Sequence, residues 1–265
     1  MAVISGIGGA VNGESTVRNW SIESFNDPVV LGVSSGKGGD VAVCGPDDWT
    51  GRFLASGYIP YSAIFPGQTF TFTGDLGNGK GATGSAFVDQ LEITADIERQ
   101  RPVEYEVRFS RNGALTLGAA VAADATTPTI YCPAGLYVSL GTKIVDTRFW
   151  KLILRTRAKP YVDSETNGGV KRLKGNMGGQ WIVRAYLSDP STLPVVGTNY
   201  PGLFYVTSLK KYEINWCKVL RIQDLGADNE SQENVGAIIS GVCNAWSGTS
   251  IGVWITPDGA TKWPV

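Results

Sequence analysis

The chain reads as all-β and mainly antiparallel, and three observations carry that reading. Short segments alternate apolar and polar residues. Thr, Val, Ile, Tyr, Phe and Trp dominate those segments, residues that suit a pleated, half-buried surface. Glycine, 34 residues in all, and frequent Ser and Thr punctuate the spaces between them. The clearest segment, Gln68-Thr69-Phe70-Thr71-Phe72-Thr73, has a period of two, which belongs to a strand. Leu91 to Glu98 and Val103 to Ser110 alternate in the same way. Only Arg99-Gln100-Arg101-Pro102 separates them, so a hairpin is predicted. No long window carries a helical stripe. At most one short helix per half is expected, after Thr198 or near Ser62.

A repeat runs through the chain at an offset of about 130 residues. Thr16-Val17-Arg18-Asn19-Trp20 is echoed by Asp146-Thr147-Arg148-Phe149-Trp150. The run from Asp48 to Ala55 is echoed by Gln180 to Leu187, which sets Trp49 against Trp181. Pro60 to Gly67 is echoed by Pro190 to Gly197, and Phe70 and Phe72 by the run from Gly202 to Tyr205. Leu91-Glu92-Ile93 is set against Leu220-Arg221-Ile222, and Val103 to Asn112 against Val235 to Asn244. The order and spacing of these echoes predict two tandem β-sandwich or partial-barrel domains, residues 1–125 and 126–265, joined by a linker in 118–133.

Composition removes several chemistries. There is no histidine, so histidine-based nucleophile activation, histidine general bases and the commonest metal ligand are excluded. Cys44, Cys132, Cys217 and Cys243 lack metal or redox spacing and read as small core residues. The N-terminus lacks the basic start of a signal peptide, and no apolar stretch is long enough to cross a membrane. Gly79-Lys80-Gly81-Ala82-Thr83-Gly84 fits GxGxxG. The residues that follow read as strand, however, and a dinucleotide site needs a helix there. Gly74 to Gly84 is expected as a long mobile hairpin loop. Ser35-Gly36-Lys37-Gly38-Gly39 holds only half of a phosphate loop and is also expected as a flexible loop. No cofactor and no metal are expected.

The halves differ in charge. Residues 1–125 hold 14 acids and 8 bases, a net −6, and residues 126–265 hold 10 acids and 15 bases, a net +5. Lys151, Arg155, Arg157, Lys171, Arg172 and Lys174 concentrate the second half's charge and are expected at contacts between subunits, each basic copy meeting acidic neighbours. In the predicted hairpin, parity puts Leu91, Ile93, Ala95, Ile97, Val103, Tyr105, Val107 and Phe109 on a core face. Glu92, Thr94, Asp96, Glu98, Glu104 and Glu106 fall on the other face, and in a closed ring of such sheets this acidic wall would repel phosphates and let DNA slide.

Residues 14–118 resemble the major tail tube proteins of tailed bacteriophages. The resemblance rests on Trp49-Thr50-Gly51-Arg52, on Phe65 to Gly74, on the Gly-rich segment, and on Phe87 to Thr94 leading into the hairpin that ends Phe109-Ser110-Arg111-Asn112-Gly113. It extends more faintly over 146–248. It implies a structural virion protein of the phage tail, not an enzyme, assembled in the host cytoplasm with other tail proteins. Such domains form rings of six and line a DNA-conducting lumen with strands, so a duplicated chain needs three subunits per ring. The six residues of the acidic wall would face that lumen. The alternatives are a baseplate hub or tail terminator ring, a carbohydrate-binding β-sandwich module using its tryptophans, and a glycosidase using paired acids such as Asp47-Asp48.

Overall fold

The computed structural model of the chain describes residues 2–6, 17–26, 28–32, 40–57, 64–76, 79–120, 137–144, 147–164, 168–187, 191, 193–207, 211–226 and 235–243. Its strands are β1 (Ala2–Gly6), β2 (Val17–Asn26), β3 (Val29–Gly32), β4 (Asp40–Val43), β5 (Asp47–Ser56), β6 (Thr69–Asp75), β7 (Lys80–Asp96), β8 (Glu104–Ala120), β9 (Val138–Leu140), β10 (Thr142–Ile144), β11 (Thr147–Thr156), β12 (Lys159–Tyr161), β13 (Lys171–Leu173), β14 (Met177–Leu187), β15 (Asn199–Tyr205), β16 (Lys211–Gly226) and β17 (Val235–Cys243). The fold is all-β and antiparallel throughout its ladders. A 13-stranded sheet runs β1-β2-β5-β8-β7-β11-β14-β17-β16-β15-β9-β10, with β6 on β7 beside that path. Two ribbons, β3-β4 and β12-β13, stand apart from it.

The order β2-β5-β8-β7-β6 in the first half recurs as β11-β14-β17-β16-β15 in the second. Irregularities recur with it. A register shift between Val17 and Asn19 returns between Thr147 and Phe149. Another between Val88 and Gln90 returns between Val219 and Arg221. The Gly67 N–H donates to the Val88 carbonyl and the Val88 N–H to that of Gln68; Gly197, Val219 and Thr198 repeat both bonds. Gly67 and Gly197 have φ of 89° and 86°, a left-handed conformation that glycine adopts without a side-chain clash.

Each half curls over an aromatic core. Trp20 on β2 meets Phe72 on β6 edge-to-face at 5.5 Å, and Trp150 on β11 meets Phe204 on β15 at 5.6 Å. The strands of each pair stand at opposite ends of their five-strand order, so contact between them requires the sheet to wrap toward a partial barrel. Trp20, Trp49, Trp150 and Trp181 are all at most 2% exposed. Burial of one such ring contributes on the order of 2–3 kcal/mol.

Five expectations need correction. The segment after Thr198 is strand β15, not helix; the alternative near Ser62 lies outside the described residues. Gly74 to Gly84 is mostly ladder, with Gly74 opposite Ala82 and Asp75 opposite Gly81. A Cβ on Gly74 would lie 2.5 Å from the Trp20 ring, so this glycine serves close packing and not a loop. Two echoes were set out of register. Across the ladder, Gly51 faces Phe109 and Trp181 faces Gly241, which places Trp181 at the position of Gly51 and sets Gly179 against Trp49. The bulge after Val219 likewise sets Ile222 against Leu91, and not Ile93. Finally, Cys217 and Cys243 are buried but Cys44 is exposed. The boundary at 125/126, most of the linker and Ser35 to Gly39 lie outside the described residues.

Candidate assembly interface

The two repeats meet through backbone. Strand β7 pairs with β8 along one edge and has two partners in succession along the other. Its first half pairs with β6, and its second half pairs with β11 from Gln90↔Arg155 to Asp96↔Phe149. This junction makes the wall strands β2-β5-β8-β7-β11-β14-β17-β16 continuous. Leu91, Ile93, Leu152 and Leu154 carry the core across it, each at most 4% exposed.

On the opposite face the junction is charged. Lys151 Nζ lies 2.5 Å from Glu92 Oε1, and Arg148 Nη1 lies 3.4 Å from Glu98 Oε1. Asp96 accepts the Arg99 backbone N–H at 3.0 Å. Glu106 accepts from Arg108 Nε at 2.8 Å, and Glu104 pairs with Arg18. Glu92, Thr94, Asp96, Glu98, Glu104 and Glu106 therefore do share one outward face, as parity predicts. That face is not the bare acidic wall expected, because each of its five carboxylates has a cation beside it.

The ribbon β12-β13 forms a second contact between halves, and sequence reasoning missed it. The Asp47 N–H donates to the Gly168 carbonyl at 2.9 Å, and the Val170 N–H donates to the Asp47 carbonyl at 3.0 Å. Arg172 Nη2 donates to Asp48 Oδ2 at 2.7 Å, with both side chains 11% exposed. Burial pushes the Asp89 carboxyl above the usual carboxylate range, while Ser110 and the Arg172 charge pull it back. The Lys174 stem crosses Gly67, where a Cβ would sit 3.0 Å from it. Lys151, Arg172 and Lys174 thus contact the first half within one chain. Arg155 donates instead to Gln180 at 2.8 Å. Arg157 is exposed and Lys171 half-buried.

The same edges recur at the two ends of the wall. Beyond Val219, β16 pairs with β17 on one side and has no strand on the other among the described residues. Leu220 there is 51% exposed. At the other end, β2 is covered by the short strand β1, from Ala2↔Ser24 to Gly6↔Trp20. Residues 2–6 thus form a strand within the single chain.

Two features bear on the other readings. Trp20, Trp49, Trp150 and Trp181 are buried whereas Trp216 is 37% exposed, and Asp48 is committed to Arg172. Gly79 precedes β7 and Gly81 and Gly84 lie within its first five residues, with strand following. No protein-family model and no curated protein sequence matches this chain.

Proposed function

We propose that the chain is a structural subunit of a phage tail tube, closing as a ring of three and stacking into a DNA-conducting channel. One observation carries this reading. The β7–β11 junction is an edge-to-edge contact between repeats, and the two strands corresponding to its halves, β16 and β2, end the wall. Joining β16 of one chain to β2 of the next would repeat the internal junction. The shared register then sets Arg221 opposite Phe25, Ile222 opposite Ser24 and Gln223 opposite Glu23. Closure removes the exposed edges that otherwise invite aggregation. Strand β1 sits on that segment of β2, so it caps the edge until a neighbour replaces it.

The dimensions suit the task. Three chains supply twenty-four wall strands, three times eight. With strands about 4.8 Å apart and tilted about 40°, the barrel has a backbone diameter of roughly 48 Å and a bore of roughly 38 Å inside its side chains. That is wider than a DNA duplex. A lumen lined with paired charges offers phosphates few unpaired cations to grip.

Negative-stain electron microscopy of the purified protein over a concentration series tests the proposal. Tubes with a central channel and threefold rings are expected. Rings that never stack would favour a baseplate hub or tail terminator. A chain that stays monomeric at high concentration, with and without residues 2–13, would overturn the reading.

A further inference from the structure

The internal junction has a second component, the ribbon β12-β13, and the first half has its counterpart. Ribbon β3-β4 occupies the same place between β2 and β5 that β12-β13 occupies between β11 and β14. Both have the same pairing, Val29↔Val43 in one and Lys159↔Leu173 in the other. Asn26↔Asp47 and Thr156↔Met177 bracket them identically. Yet β12-β13 lies on the other repeat through Arg172, whose side chain is 11% exposed, whereas Ala42, the matching residue of β3-β4, is exposed.

Residue by residue, the register converts the inner contact into an outer one. Arg172 corresponds to Ala42, Asp48 to Gly178 and Asp89 to Leu220. The buried charged cluster of the inner joint thus has an uncharged, small-and-apolar counterpart. Its members are open: Ala42 is exposed, Leu220 is 51% exposed, and a Cβ on Gly178 would have no atom within 4 Å. Lys174, which crosses Gly67, corresponds to exposed Cys44, and Gly67 to Gly197, which is likewise open. Lys151 and Glu92 correspond to Ser21 and Gln223, again uncharged.

Resting on the tail tube reading, we infer that ribbon β3-β4 docks on a second copy of this chain, with Ala42 against Gly178 and Leu220 and with Cys44 over Gly197. The two joints are then chemically distinct. Docking β12-β13 on a second repeat would bury Arg172 without an acid, and docking β3-β4 on a first repeat would leave Asp48 and Asp89 without a base. Either mispairing leaves an uncompensated buried charge. The repeats are therefore held in strict alternation around the ring.

Cys44 provides the test. Maleimide labelling, read at the peptide containing Cys44 by mass spectrometry, is compared between dispersed chains and assemblies verified by microscopy. Labelling of the dispersed chain and its loss in the assembly are expected. Assemblies with Cys44 labelled at the dispersed rate would overturn the docking while leaving the tube reading intact; no assembly under any condition would remove both. A second arm uses Ala42→Arg, expected to weaken assembly, and the double variant Ala42→Arg/Gly178→Asp, expected to restore it. Normal assembly by the single variant would also overturn the docking.

Discussion

Arg172 and Asp48 are 124 residues apart in the chain and meet at 2.7 Å. Their contact fastens the ribbon of the second repeat to the first. Arg172 Nη1 is buried without a hydrogen-bond partner among the described residues, so the guanidinium depends on this carboxylate. Removing one partner strands the other charge and costs about 3–5 kcal/mol. Arg172→Met and Asp48→Asn are each expected to lower the urea midpoint of the chain. The double variant is expected to lose less than the two single losses together.

Asp89 sets a pH dependence. Its carboxyl has a raised pKa because burial opposes its charge, so the folded state holds the proton more tightly than the unfolded state. The resulting stabilisation is fully present below the ordinary Asp range and is lost as pH rises through the folded value. Asp89→Asn cannot ionise. Its stability relative to the parent is expected to rise with pH across that window and to level off above it. Urea titrations at a series of pH values measure this; a flat difference would sink the assignment.

Two glycines in strands should respond in opposite ways. A Cβ on Gly74 would lie 2.5 Å from Trp20 and 2.8 Å from Phe72, whereas one on Gly178 meets nothing within 4 Å. Gly74→Ala is expected to destabilise the monomer by about 1–3 kcal/mol through overpacking. Gly178→Ala should leave monomer stability unchanged or slightly raised, since it limits the unfolded chain. Thermal melts below the assembly threshold separate the two.

Deleting residues 2–13 removes β1 and uncovers β2 from Trp20 to Ser24. The critical concentration for assembly is expected to fall, as measured by sedimentation of tubes against free protein. A rise would show that β1 supports the neighbour's edge and does not cap it.

Much of this architecture was legible from alternation. Leu91, Ile93 and Ala95 face the core with Val103, Tyr105 and Val107, as the period of two predicts. What escaped has physical causes. Trp49 and Trp181 were matched by residue type, but packing keeps volume and lets it change strand: Gly51 faces Phe109 where Trp181 faces Gly241. One bulged residue after Val219 was enough to shift the next echo. Strand β1 is short and ends on Gly6, so its sequence carries only a weak strand signal, and its partner supplies the pairing. The Arg172–Asp48 contact was invisible because nothing local in either segment points to the other. The charge imbalance between halves was visible, but it could not say that the charges cancel inside one chain.

The seven paired positions from Gln90 to Asp96 across to β11 also bear on how quickly the proposed ring would begin. In a ring of six separate domains, every joint but the closing one waits on an encounter in solution. Covalent connection turns alternate joints into intramolecular ones, held at an effective concentration of about millimolar or more. Two collisions then replace five before the ring closes on itself, so its formation depends less steeply on how much protein is present. Gene duplication, on this view, moves the threshold for starting a ring toward scarcer protein while leaving each remaining joint weak enough to wait for its neighbour.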